Sequence, residues 1–132
     1  MIVVEQKTLD AFEEMWGPFP EPVMLIDKYR TILARNELAR ITGIPEGIKC
    51  YSLNPEAHGD NCQQCKANQA MWEKRTVCQE SETNGTRIIG YWMPLKESPE
   101  VYVHFGVGLA KSMGLNPAAP AQEPGLVGIV ES

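Results

Sequence analysis

Four cysteines, Cys50, Cys62, Cys65 and Cys78, offer most of the chemistry in this sequence, and all fall within residues 50–78. Thiolates are the ligands of zinc and of iron–sulfur clusters, and four is the usual count for either. Cys62-Gln-Gln-Cys65 spaces two sulfurs so that both can face one ion or each other. His58 is a substitute ligand should Cys78 lie too far away. Against a structural zinc site stands the single close pair, where two are usual. The same pair, Cys62 and Cys65, can instead serve as a redox dithiol, because the positive end of a helix dipole favours the thiolate. A third reading is plainer: cysteine packs well as a small core residue. Lys66 follows Cys65, so the histidine that covalent haem attachment requires is missing.

The chain that holds these thiols has 132 residues, 43% hydrophobic and 22% charged, with a formal net charge of −5. That is the size of one ordinary domain, long enough to bury a core without covalent staples. No apolar run approaches the roughly 18 residues of a membrane span. The start, Met1 to Lys7, lacks the basic and apolar regions of a signal peptide. A cytoplasmic protein is therefore expected, and in that compartment a disulfide framework is not the default. A sequence pI near 5.0 gives no general attraction for nucleic acid. No Gly-rich phosphate loop, Gly-x-Ser-x-Gly elbow or His-Glu-x-x-His is present. An enzyme is not expected; thiol oxidoreduction is the one class the residues leave open.

The elements that must position the thiols follow from periodicity. Leu9, Phe12, Met15 and Trp16 recur at helical spacing over Lys7 to Trp16, and Pro18 and Pro20 end that helix. Pro22 to Asp27 and Thr31 to Arg35 read as two strands joined by a turn. Asn36 suits an N-cap for a short helix through Ile41, with Leu38, Ala39 and Ile41 facing the core and Gly43 ending it. Gln63 to Arg75, free of Gly and Pro, is the best helix candidate, with Cys65, Gln69 and Trp72 near one face. Thr76 to Glu82 and Arg87 to Leu95 flank Asn84-Gly85, a strong hairpin signal. From Val101 to Leu109, Val101, Val103, Phe105, Val107 and Leu109 alternate with Tyr102, His104, Gly106 and Gly108. Residues 111–132 read as a Pro/Ala/Gly-rich flexible tail ending in a small apolar patch, Gly125 to Val130.

The order helix, two strands, short helices, a longer helix and three strands describes an α+β domain with one antiparallel five-stranded sheet and helices gathered on one face. Here the sequence resembles a PAS domain. The resemblance rests on Phe19-Pro-Glu-Pro-Val-Met-Leu-Ile-Asp27, Ile32, Asn36-Glu-Leu-Ala39 and Thr42-Gly43. Gly47-Ile-Lys-Cys50-Tyr51 and Cys62-Gln-Gln-Cys65 look like a cysteine-containing subgroup of bacterial PAS sensors. It covers roughly residues 7–110. In domain terms it implies an N-terminal helix over 1–17, a sensor domain over 18–110 and the tail. One departure is that the turn Asp27-Lys-Tyr-Arg-Thr31 lacks the glycine many members carry there.

The resemblance implies a sensory or regulatory module, with a small-molecule pocket between sheet and helices that Tyr51, Trp72 and Trp92 could line. Cys50, Cys62 and Cys65 could approach one another there, with zinc or an iron–sulfur cluster as the cofactor candidates. His104 is expected to face outward, which speaks against haem. PAS-like domains often dimerise through an N-terminal helix on the outer sheet face, here with Leu9, Phe12 and Trp16 over Tyr102 and His104. The alternative is that this helix caps its own sheet. With no kinase, cyclase or helix-turn-helix segment on this chain, output is expected through a homodimer or a signalling-protein partner, with no nucleic acid and no membrane involved.

Overall fold

A computed structural model describes residues 1–53 and 65–115 of the chain. Helix α1 spans Gln6–Trp16, followed by strands β1 (Val23–Asp27) and β2 (Ile32–Arg35) and helix α2 (Glu37–Ile41). A single 3-10 turn covers Cys50–Leu53, and helix α3 covers Ala67–Glu73. Strands β3 (Val77–Thr83), β4 (Thr86–Pro94) and β5 (Val101–Val107) and a short helix α4 (Leu109–Ser112) complete the order. The strands form one sheet in the order β2-β1-β5-β4-β3, antiparallel throughout. The expected fold class is the observed one. No helix among the described residues is long and apolar enough to cross a membrane.

Sheet register sorts the side chains into two faces. On the inner face, Met24, His104, Trp92 and Val77 form one cross-strand row. Ile26, Tyr102 and Trp92 pack there with Ile32, Val77 and two helical residues, Ala67 and Ala70. On the outer face, Val23, Phe105, Tyr91 and Cys78 form the matching row. Leu25, Val101, Val103 and Phe105 pack there beneath Phe12, Leu9 and Trp16 of α1. Short helices thus gather on the inner face, and α1 covers the outer face of its own subunit. Of the stripe Leu9, Phe12 and Trp16, Phe12 is 5% exposed against this sheet, and Leu9 and Trp16 are half-buried. The expected sidedness of β5 is reversed. Tyr102 and His104 face the helices, and Val101, Val103 and Phe105 face α1.

Local sequence explains most element ends. Asn84 and Gly85 both take positive φ, 52° and 77°, the geometry of a two-residue hairpin turn. Gly43 takes φ 96° after α2, as its place past a helix end implies. Helix α2 is too short for its expected inner set: Ala39 is fully buried, whereas Ile41, on the opposite side of a five-residue helix, is 63% exposed. The helix expected over residues 63–75 is shorter where described, because Lys74 adopts the left-handed conformation at φ 55° and ends it. The expected last strand stops at Val107, because Gly108 at φ 104° turns the chain into α4. Residues 111–115, read as tail, complete α4 and its closing turn, in which the Leu115 amide donates to the Ala110 carbonyl at 2.8 Å.

Two buried polar side chains join these pieces. The Asn36 oxygen accepts from the amides of Val23 at 2.9 Å and Ala39 at 3.0 Å. Its Nδ2 donates to the carbonyls of Trp16, Phe19 and Glu21. One amide thereby ties the end of α1, the start of β1 and the cap of α2. Asp27, fully buried, organises the β1–β2 turn. Its Oδ1 accepts from the Tyr29 and Thr31 amides, both at 2.9 Å, and its Oδ2 from the Ile2 amide at 2.8 Å. A buried carboxylate with three amide donors is a satisfied one.

Candidate functional site: the inner sheet face

The inner face carries the side chains with chemical capacity. Tyr102, 1% exposed, lies at its centre, with Cys50 and Cys65 packed against the same cluster. Burial, and then the neighbouring Cys50 thiol, push the Tyr102 phenol far up, so it stays protonated and can donate a hydrogen bond. Arg30 closes one end. Its Nη1 donates to the Lys28 carbonyl at 3.0 Å and its Nη2 to the Asn68 side-chain oxygen at 2.9 Å, so the β1–β2 turn is fastened to α3. Its own carbonyl accepts from the Cys50 amide at 2.8 Å.

At the other end Trp92 and His104 stack, centroids 4.7 Å apart with planes 20° from parallel. His104 Nδ1 lies 2.8 Å from the Tyr91 carbonyl. A carbonyl only accepts, so Nδ1 carries the proton of the neutral ring and Nε2 keeps its lone pair. Burial lowers the His104 pKa from its ordinary 6.5, and the hydrogen bond to Tyr91 opposes this only in part. The unfolded chain therefore takes up a proton below pH 6.5 that the folded domain resists. Stability linked to His104 is fully present above that pH and is lost as the pH falls. Urea titrations between about pH 7.5 and about pH 5.5 should show a falling midpoint, and His104→Phe should flatten that fall. An unchanged slope in the variant would assign the acid sensitivity to the carboxylates.

The residues singled out from the sequence divide between the faces. Cys50 and Cys65 are half-buried on the inner face. Cys78 is exposed and pairs with Tyr91 on the outer face. The sheet therefore stands between Cys78 and the other two described thiols. The reason is the two-residue period: Val77 takes the inner position, so its neighbour Cys78 cannot. Among the described residues no three His, Cys, Asp or Glu side chains are grouped to hold a metal. Cys62 and His58 lie outside the described residues.

Of the expected pocket aromatics, Trp92 is buried in the inner cluster and Tyr51 is half-buried in the 3-10 turn. Trp72 is 87% exposed and lines no interior surface. Ala67 and Ala70, three apart, form the buried stripe of α3, and Trp72, two residues beyond Ala70, lies about 200° around the helix from it. His104, expected outward, is half-buried on the inner face. Arg30 and Asn68 were not foreseen as site residues. The signal for Arg30 was the missing glycine of its turn: Arg30 takes φ 72°, a conformation that favours glycine.

The outer face has a concavity. A groove of about 550 Å³ runs between α1 and the β4–β5 turn, floored by Phe12, Trp16, Leu25 and Val103 and edged by Met15 and Leu95. Beside it Trp16, Phe19, Phe105 and Tyr91 form a chain of ring contacts 5.1–5.3 Å apart.

No family model matches the chain, and no curated protein sequence matches it. Solved structures do. A sensory box sensor histidine kinase from Vibrio cholerae is similar with a TM-score of 0.55 at 13% identity, over 80% of this chain and 97% of that one. A domain of an HTR-like protein from Haloarcula marismortui is similar with a TM-score of 0.51 at 17% identity, over 66% of this chain and 95% of that one. With its 2-1-5-4-3 antiparallel sheet and the helices on its inner face, the chain has the fold of PAS-type sensor domains.

Proposed function

We propose that this chain is a sensory module that binds a small ligand on the inner face of its sheet and passes the change to a second copy or to a signalling partner. The observation that supports it most is the concentration of chemically capable groups there. Tyr102, Cys50, Cys65, the Trp92–His104 stack and Arg30 all face the helical side, whereas the part of the outer face beneath α1 is apolar and aromatic. The structural neighbours are described as a sensory box sensor histidine kinase and an HTR-like protein, which fits such a role. In the mechanism we favour, occupancy changes the contacts of α3 with Arg30 and the sheet. The strands carry that change to the outer face, where α1 rests. A ligand can shift that balance only through unequal affinity for the two arrangements.

A second form of the same reading replaces the organic ligand with a metal centre held by Cys50, Cys62 and Cys65, with zinc or an iron–sulfur cluster as the candidate. Its basis is that two of these thiols share the inner face. The redox alternative uses Cys62 and Cys65 as a dithiol. Anaerobic purification followed by metal content, visible spectrum and thiol count separates these forms. Cys78→Ser should leave every metal and spectral signal unchanged and remove the most quickly modified of the described thiols. Bound metal that disappears in Cys50→Ser but survives in Cys78→Ser supports the three-thiol centre. Full thiol reactivity without metal sinks it and leaves the organic ligand and the reduced dithiol.

A further inference from the structure

Arg30 is 9% exposed, yet among the described residues its guanidinium forms no ion pair. The one buried carboxylate in the same turn, Asp27, is committed to the amides of Ile2, Tyr29 and Thr31. A guanidinium has five N–H donors. Two of Arg30's are used, on the Lys28 carbonyl and the Asn68 side chain, both neutral acceptors. The Nε–H and one hydrogen on each terminal nitrogen remain for an acceptor such as a carboxylate. Burying a cation without a countercharge is costly, and the left-handed backbone of Arg30 at φ 72° adds strain.

We propose that Arg30 anchors a small organic carboxylate at the end of the inner face between the β1–β2 turn and α3. This rests on the sensory reading above and names the chemistry of its ligand. Asn68, to which the guanidinium is fastened, is exposed on α3. Tyr102, Cys50 and Cys65 supply neutral or weakly polar surroundings for the body of the ligand. A single negative charge matches the single guanidinium. A phosphate dianion would leave excess negative charge, which favours the carboxylate. A carboxylate on the Nε/Nη2 edge also competes with Asn68 for Nη2, so binding loosens or re-aims α3 against the turn.

The test titrates the full chain with acetate, benzoate, malonate and inorganic phosphate at matched ionic strength, reading the Arg30 Nε–H resonance by NMR and the affinity by calorimetry. A saturable shift of that resonance by a carboxylate, with phosphate weaker, is expected. Arg30→Gln should weaken the binding at least about tenfold, as loss of a bidentate charge-assisted pair does. Arg30→Lys, which keeps the charge without the fork, should fall in between and serves if the Gln variant does not fold. Asn68→Ala should bind at least as tightly as the natural chain. An Nε–H resonance unmoved by all four anions overturns the proposal, as does equal affinity in folded Arg30→Gln. A co-purifying neutral ligand or metal seen by native mass spectrometry in the same sample would leave the sensory reading standing while the carboxylate site falls.

Discussion

Replacing Asn36 with alanine should destabilise the domain by about 3–5 kcal/mol, a large share of the roughly 5–15 kcal/mol that holds a typical domain together. The effect is large because five backbone groups depend on one side chain: the amides of Val23 and Ala39 and the carbonyls of Trp16, Phe19 and Glu21. Loss of an N-cap alone costs about 1 kcal/mol. Leaving buried donors and acceptors unpaired costs about 1–3 kcal/mol for each that water cannot reach. Asn36 itself is 1% exposed, so water does not readily take its place. Urea unfolding of Asn36→Ala against Gln69→Ala, an exposed amide elsewhere, measures the difference. A loss near 1 kcal/mol would reduce Asn36 to an ordinary helix cap. A loss of the expected size would mark it as the joint between α1 and the sheet, on the route by which a change at the inner face is proposed to reach α1.

The second large effect belongs to Gly108. This residue sits at φ 104°, and a Cβ built on it would lie 2.5 Å from the Arg87 carbonyl oxygen and 3.5 Å from the Ile88 Cα. Both are main-chain atoms, so relief requires moving β4 away from the end of β5. The Gly108 amide also donates to Glu21 Oε2, and the Ala110 amide to Glu21 Oε1, each at 2.8 Å. A shift therefore strains the one carboxylate that caps α4. Gly108→Ala should cost about 3 kcal/mol or more, combining left-handed strain with the clash. Gly43→Ala is the natural control, because Gly43 has φ 96° but nothing within 4 Å of the added carbon. It should cost only about 1 kcal/mol. Equal losses in the two variants would show that the close approach at Arg87 does not matter.

Much of this architecture could be read from local signals. Asn84-Gly85 demanded a tight hairpin and forms one, because few residue pairs accept two positive φ values. Asn36 announced a helix start by its short acceptor side chain, and its oxygen meets the Ala39 amide. The alternation in β5 was plain from Val101, Val103 and Phe105. What alternation could not say was which set faces the helices, because both faces of this sheet are covered and both sets are apolar enough to be buried. Tyr102 and His104 were placed on the wrong side for that reason. Trp72 misled for a related one: the strongest aromatic of α3 is exposed, and the buried stripe consists of two alanines, whose size lets the helix approach the sheet closely.

By itself the sequence determined the order of elements, the turns that join them and the clustering of thiols in one segment. These depend on φ preferences, caps and periodicity, which act over a few residues. Only the tertiary structure decided which of those thiols share a surface. Cys78 is parted from Cys50 and Cys65 by the thickness of the sheet, through register between strands far apart in the chain. The tertiary structure also turned Arg30 from an unremarkable turn residue into a buried cation beside α3. That outcome depends on Asn68, 38 residues away, and on Asp27 being fully committed elsewhere. Proximity of groups distant in sequence is set by packing, and no local propensity records it.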